Sequence, residues 1–182
     1  MKLPLEWRKL LTGRRKSREK LLRQLLAENL AELDPQVLRK LLQDPRKGAA
    51  WLNRWVIGSW KKLNQLQRLT LRAALQKNWD ILTQLLKSPQ LISRNLLDAR
   101  PDLRELPEVR EGKLDEFIKL ALTALSPTLT TMAYDCYCAV CGQPVTPEDY
   151  IYFNSQKLPP EYRWAHHECY KKLLEKSKGE RG

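Results

Sequence analysis

Ser17-Arg18-Glu19-Lys20-Leu21-Leu22-Arg23-Gln24-Leu25-Leu26-Ala27-Glu28-Asn29-Leu30 is the stretch that decides the fold class. Its leucines return at the spacing of one helix face, with charged residues between them. Ser17 stands where a helix N-cap belongs. The bias extends to the whole chain, in which leucine fills 35 of 182 positions and valine and isoleucine together fill ten. Unbranched leucine loses little rotamer freedom in a helix, whereas strands favour β-branched residues. The spacing predicts a mainly α protein.

Outward from this stretch, Asp34-Pro35, Asp44-Pro45, Ser88-Pro89 and Ser126-Pro127 each set a capping residue before a proline. Proline at the first helical position gives up an amide that would lack a partner anyway, so each pair reads as a joint where a new helix starts. Val37, Leu38, Leu41 and Leu42 form one apolar stripe, and Leu114, Phe117, Ile118, Ala121, Leu122 and Leu125 form another. Trp51, Leu52, Trp55, Val56, Trp60 and Leu63 lie at helical spacing, which places the tryptophans in a core. Gly58-Ser59 is expected to bend or break that helix. Residues 17–125 therefore read as five to seven packed helices inside a basic α-helical domain spanning 1–129.

Charge is concentrated at one end. Of a net +12, residues 1–62 hold +10, from 16 cations against 6 acids, and residues 128–182 hold none. Such a gradient points to an anionic partner for the first third of the chain, with nucleic acid, DNA or RNA, as the leading expectation. Arg14, Arg15 and Lys16, with Lys20 and Arg23, form the densest cluster. On a helix Lys16, Lys20 and Arg23 fall opposite Leu21, Leu25 and Leu26. Lys47, Arg54, Lys61 and Arg68 recur every seven residues and would make a slowly drifting stripe on one continuous helix. Leu3, Leu5 and Trp7 beside the cluster also admit docking of a basic amphipathic helix on a lipid surface. No apolar run approaches the roughly 20 residues that span a bilayer. Met1 to Leu11 lacks the pattern of a secretory signal, so an intracellular, reducing compartment (cytoplasm, nucleus or nucleoid) is expected.

After Leu129 the texture changes, because all six tyrosines, all four cysteines and both histidines lie beyond it. A second domain is expected over 130–178, with a polar tail at 179–182. Cys138-Ala139-Val140-Cys141-Gly142 brings two thiolates to one side of a tight turn, with glycine permitting the close approach. Then, with 24 residues between it and Cys141, His166-His167-Glu168-Cys169 opens a helical stretch. His166 and Cys169, three apart, point to the same side of its first turn, where the helix N-terminus favours a thiolate. Strand-like alternation in Tyr150-Ile151-Tyr152-Phe153 and near Tyr162-Arg163-Trp164 predicts a hairpin between the two pairs. Cys138, Cys141, His166 and Cys169 are the expected metal ligands, and Cys136 and His167 are the possible substitutes. Three cysteines within six residues make poor disulfide partners for one another.

Residues 134–176 resemble the single-zinc treble-clef fingers, in particular half of a LIM domain and the PARP-type finger, which share C-x2-C followed by H-x2-C. The resemblance implies a small α+β fold around one structural Zn(2+). Four protein ligands close the tetrahedron, whereas a hydrolytic zinc keeps one position open. The deaminase signature runs in the opposite order, and Tyr170–Lys178 holds no further metal-binding residue of the kind an HNH nuclease needs. No Gly-rich phosphate loop or nucleophile pair stands out. The sequence thus leads to a non-enzymatic, regulatory or accessory nucleic-acid-binding protein. The second reading is an adaptor whose finger docks a protein partner.

Overall fold

The computed structural model describes residues 7–181, and their side chains from Lys9 to Gly179. It is mainly helical. The helices are α1 (Trp7–Thr12), α2 (Arg15–Ala31), α3 (Pro35–Gln43), α4 (Pro45–Lys61), α5 (Gln65–Lys77), α6 (Trp79–Leu86), α7 (Pro89–Ala99), α8 (Pro107–Arg110), α9 (Lys113–Ala133) and α10 (His167–Arg181). Strands β1 (Ile151–Tyr152) and β2 (Trp164–Ala165) form one small sheet. The chain divides into two compact units, Met1–Ser126 and Pro127–Gly182.

In the first unit three of the proline joints do what their chemistry dictates. Pro35, Pro45 and Pro89 open α3, α4 and α7, and the Asp34 and Asp44 carboxylates accept the amides of Gln36 and Lys47 at 2.9 and 3.4 Å. Ser126-Pro127 behaves differently. Helix α9 runs through Pro127 to Ala133, so residues 129 and 130 lie inside an element rather than at a break. The C-terminal end differs as well, since α10 continues to Arg181 and takes up most of the expected tail.

Other boundaries also depart from the sequence reading. Arg14, not Ser17, precedes the first turn of α2, and its side chain makes no capping bond. Gly58-Ser59 leaves α4 intact. Gly58 has open space around it, and Ser59 satisfies its hydroxyl by donating to the Trp55 carbonyl at 3.0 Å. The helix ends instead at Lys61, because Asn64 and Gln67 form a reciprocal capping box that starts α5. Residues 17–125 thus hold more helices, α2 to α9, than the five to seven expected. Gly48 is required for another reason: a Cβ there would sit 2.6 Å from the Leu41 carbonyl oxygen, so α3 and α4 approach closely only without one.

The core of this unit takes in Leu38, Leu42, Phe117 and Ile118 from the expected stripes, together with Leu71, Ile81, Ile92 and Leu96. Trp60 is buried beside it, and Trp51 and Trp55 stack with ring centroids 6.4 Å apart. One fully buried polar residue, Asn78, organises the start of the chain. Its Nδ2 donates to the Leu10 and Ala74 carbonyls at 3.0 and 2.7 Å, and its Oδ1 accepts from Arg18 at 2.8 Å. This network ties α1 and α2 to the α5–α6 corner.

Among the described residues no helix is long and apolar enough to cross a membrane. Leu3, Leu5 and the side chain of Trp7, on which the lipid-docking reading rests, lie outside what is described.

Candidate metal centre

The second unit is assembled around Trp164, Cys136, Cys138, Val145 and Ala165, with Tyr150, Phe153 and Tyr170 packed against them. Strands β1 and β2 are antiparallel, with Ile151 opposite Ala165 and Tyr152 opposite Trp164. Two residues per strand make a marginal ladder, so the hairpin depends on its packing. The Trp164 ring supplies much of it, with Tyr152 and Tyr150 centroids at 4.7 and 5.6 Å.

The Cys138–Cys141 turn follows from local hydrogen bonding. Cys138 donates its amide to the Gln143 carbonyl and accepts the Gly142 amide on its own carbonyl, both at 2.9 Å. Closing that loop requires a left-handed residue, and Gly142 has φ of 74°. The amides of Val140 and Cys141 then point at Cys138 Sγ, at 3.4 and 3.5 Å. Ala139 donates to the Trp164 carbonyl at 2.7 Å, which anchors the turn to β2. From β2 the chain passes directly to His166 and α10.

These elements bring Cys138, Cys141, His166 and Cys169 together, with their four donor atoms all within 4.8 Å of one another. His166 Nδ1 lies 3.4 Å from Cys141 Sγ and 3.8 Å from Cys169 Sγ. A tetrahedral ion with metal–sulfur bonds of about 2.3 Å needs its donor atoms about 3.5–3.8 Å apart. The donor set and its spacing therefore fit one metal ion. His166 Nε2 donates to the Pro144 carbonyl at 3.0 Å, which fixes the ring and leaves Nδ1 as the ligand atom.

Electrostatics in the cluster is uneven. Burial would push the Cys138 thiol up, but the amides of Cys141, His166 and Val140 outweigh it and bring it down to about 6. Cys169 is pushed up to about 11, by burial first and then by the neighbouring Cys138 and Cys141 sulfurs. A divalent cation relieves that repulsion by holding all three as thiolates.

The two possible substitutes have other employment. Cys136 is buried in the hydrophobic cluster, with Sγ 3.7 Å from the Tyr134 carbonyl oxygen and 3.9 Å from that of Thr130. His167 turns away from the sulfurs to Asp149. That carboxylate accepts the His167 backbone amide at 3.0 Å and its Nδ1–H at 2.6 Å, capping the first turn of α10. The sequence reading missed Asp149 as a cap because it arrives from a loop 18 residues earlier. Local capping patterns cannot reveal such a partner.

The basic residues of the first unit fare differently from one another. Arg14, Lys16 and Lys20 are exposed, as are Lys47, Arg54 and Lys61 on α4. Arg15 is paired with Asp80, and Lys47 lies 3.9 Å from Asp44. Arg23 is only half-exposed and, like Lys20, lines a groove beside α7. The seven-residue stripe is also interrupted. Arg68 lies on α5, its guanidinium 5.4 Å from the Trp60 ring, and donates to the Trp60 and Lys61 carbonyls at 3.3 and 3.2 Å. It closes the C-terminus of α4, a position where a cation is favoured.

No protein-family model, curated protein or solved structure matches the chain.

Proposed function

We propose that this is a non-enzymatic nucleic-acid-binding accessory protein with a structural zinc finger. The observation that carries the binding half is exposure of Arg14, just before α2, and of Lys16 and Lys20 in its first turns. They lie within a segment of 16 cations and 6 acids. Exposed cations at the start of a helix are suited to phosphate contacts, which supply most non-specific affinity. Three cysteine sulfurs and one imidazole within 4.8 Å of one another suit Zn(2+), and four protein ligands leave no position for substrate water. In this reading the ion holds a stiff module in shape.

Affinity for random-sequence DNA and RNA, measured across a salt series, tests the proposal. It should fall steeply as salt rises. Joint replacement of Arg14, Lys16 and Lys20 by Ala should flatten the log–log slope by about 2 to 3, at about 0.9 per phosphate contact. Absent binding at low salt contradicts the reading.

A second reading, an adaptor that docks a protein through the finger, draws support from the aromatic surface of that unit. Tyr134, Val140, Tyr152 and Tyr162 are all exposed there, on a segment whose charges cancel. Large aromatics at a neutral surface are the usual anchors of protein interfaces. Retained partner capture after the triple cation replacement, with no nucleic-acid binding by the native chain, would favour it.

A further inference from the structure

A polar groove of about 360 Å3 runs between α2 and α7 in the first unit. Its size falls in the range of sites for small organic ligands, roughly 300–1,000 Å3. Space for it comes from Ala27 and Ala99, whose side chains are too short to fill the gap between the helices. Lys20, Arg23, Gln24 and Glu28 line it from α2, and Asn95 and Asp98 from α7.

The groove has unmet hydrogen-bonding capacity. Arg23 Nε is buried and, among the described residues, has no hydrogen-bond partner, so the protein itself does not fully engage this guanidinium. Asp98 lies 3.3 Å from Arg104, so its charge is already answered within the chain. What remains is two cations on α2, a carboxylate at Glu28, and the amides of Gln24 and Asn95. Each amide can donate and accept, the capability that reads the edge of a nucleobase.

We infer that this groove receives one unpaired nucleotide of a bound nucleic-acid strand. Arg23 and Lys20 take the phosphate, Gln24 and Asn95 the base edge, and Glu28 accepts from an exocyclic amine. A slot between two packed helices admits a single base, whereas a duplex keeps its bases stacked and paired. The inference rests on the nucleic-acid reading above and adds to it a preference for single strands.

The test is fluorescence anisotropy of the full chain with a labelled mixed-sequence 12-mer, presented as a single strand and as a duplex. The native chain should bind the single strand about ten-fold more tightly. Joint Gln24→Ala and Asn95→Ala replacement removes no charge. It should weaken single-strand binding about ten-fold, the loss expected for one base contact, and leave duplex affinity and the salt slope within about two-fold. Ala99→Phe, which fills the groove from an exposed position, should do the same without touching a polar group. If the native chain binds nucleic acid but both variants bind like it, or lose single strand and duplex equally, the groove is not the site and the broader reading survives. If the native chain binds neither probe at low salt, both fall.

Discussion

Asp149 holds His167 through a single carboxylate oxygen, 3.0 Å from its backbone nitrogen and 2.6 Å from its imidazole Nδ1. That bond separates two adjacent histidines that the sequence alone leaves interchangeable. His167→Ala should therefore retain the full metal content of the native chain, and His166→Ala should lose it. Elemental analysis of the two purified variants decides the matter. Equal loss in both would contradict the assignment.

Asp149 also caps α10. Asp149→Ala should destabilise that helix by about 1 kcal/mol, the usual cost of losing an N-cap. Faster amide hydrogen exchange in the first turn of α10, with the α4 amides unchanged, is the expected readout.

Arg68 offers a contrast between stability and binding. Because its guanidinium closes α4 and lies against Trp60, Arg68→Ala should cost about 1–2 kcal/mol of stability. Nucleic-acid affinity should stay within about two-fold. Urea unfolding and anisotropy on the same preparation separate the two effects.

Acid should weaken the first unit through Glu108. Its carboxyl lies below the usual glutamate range, because its own backbone amide, then Arg39 at 3.1 Å and Gln43, favour the charged form. The folded value is below the unfolded one. Its contribution is therefore complete above the ordinary carboxylate range and is lost as pH falls through the lowered folded value. Glu108→Gln should be less stable than the native chain at neutral pH, and the gap should close in acid. A gap independent of pH, in urea midpoints followed by circular dichroism, would contradict this.

Asn78 tests the buried network. Asn78→Ala removes the side-chain donor to the Leu10 carbonyl, one of two donors to the Ala74 carbonyl and one of the acceptors of Arg18, and should cost roughly 2–3 kcal/mol. A loss under about 0.5 kcal/mol would mean that α1 is held by other contacts.

What the sequence made legible follows from how local each signal is. Leucine spacing and the Asp-Pro pairs act within a few residues, and α3, α4 and α7 start where those pairs stand. The four metal-ligand candidates were readable because a tight turn and a helical first turn each fix two of them. Pro127 misled because a proline can sit inside a helix when tertiary context supports it, as α9 shows. Asn64 was a missed joint, since its capping box with Gln67 carries no proline. Arg15 and Arg68 were read for their charge alone, yet the partners they meet, Asp80 and the end of α4, are set by packing. Spacing along the chain carries no record of such partners.

The most direct test is the metal content of the purified chain together with the spectrum of its cobalt(II) form. One zinc per chain, and intense tetrahedral d–d bands with thiolate charge-transfer absorption that Cys136→Ser leaves unchanged, are the predicted results. A chain that folds its C-terminal unit with no bound metal, or a cobalt spectrum lacking thiolate ligation, would contradict the account.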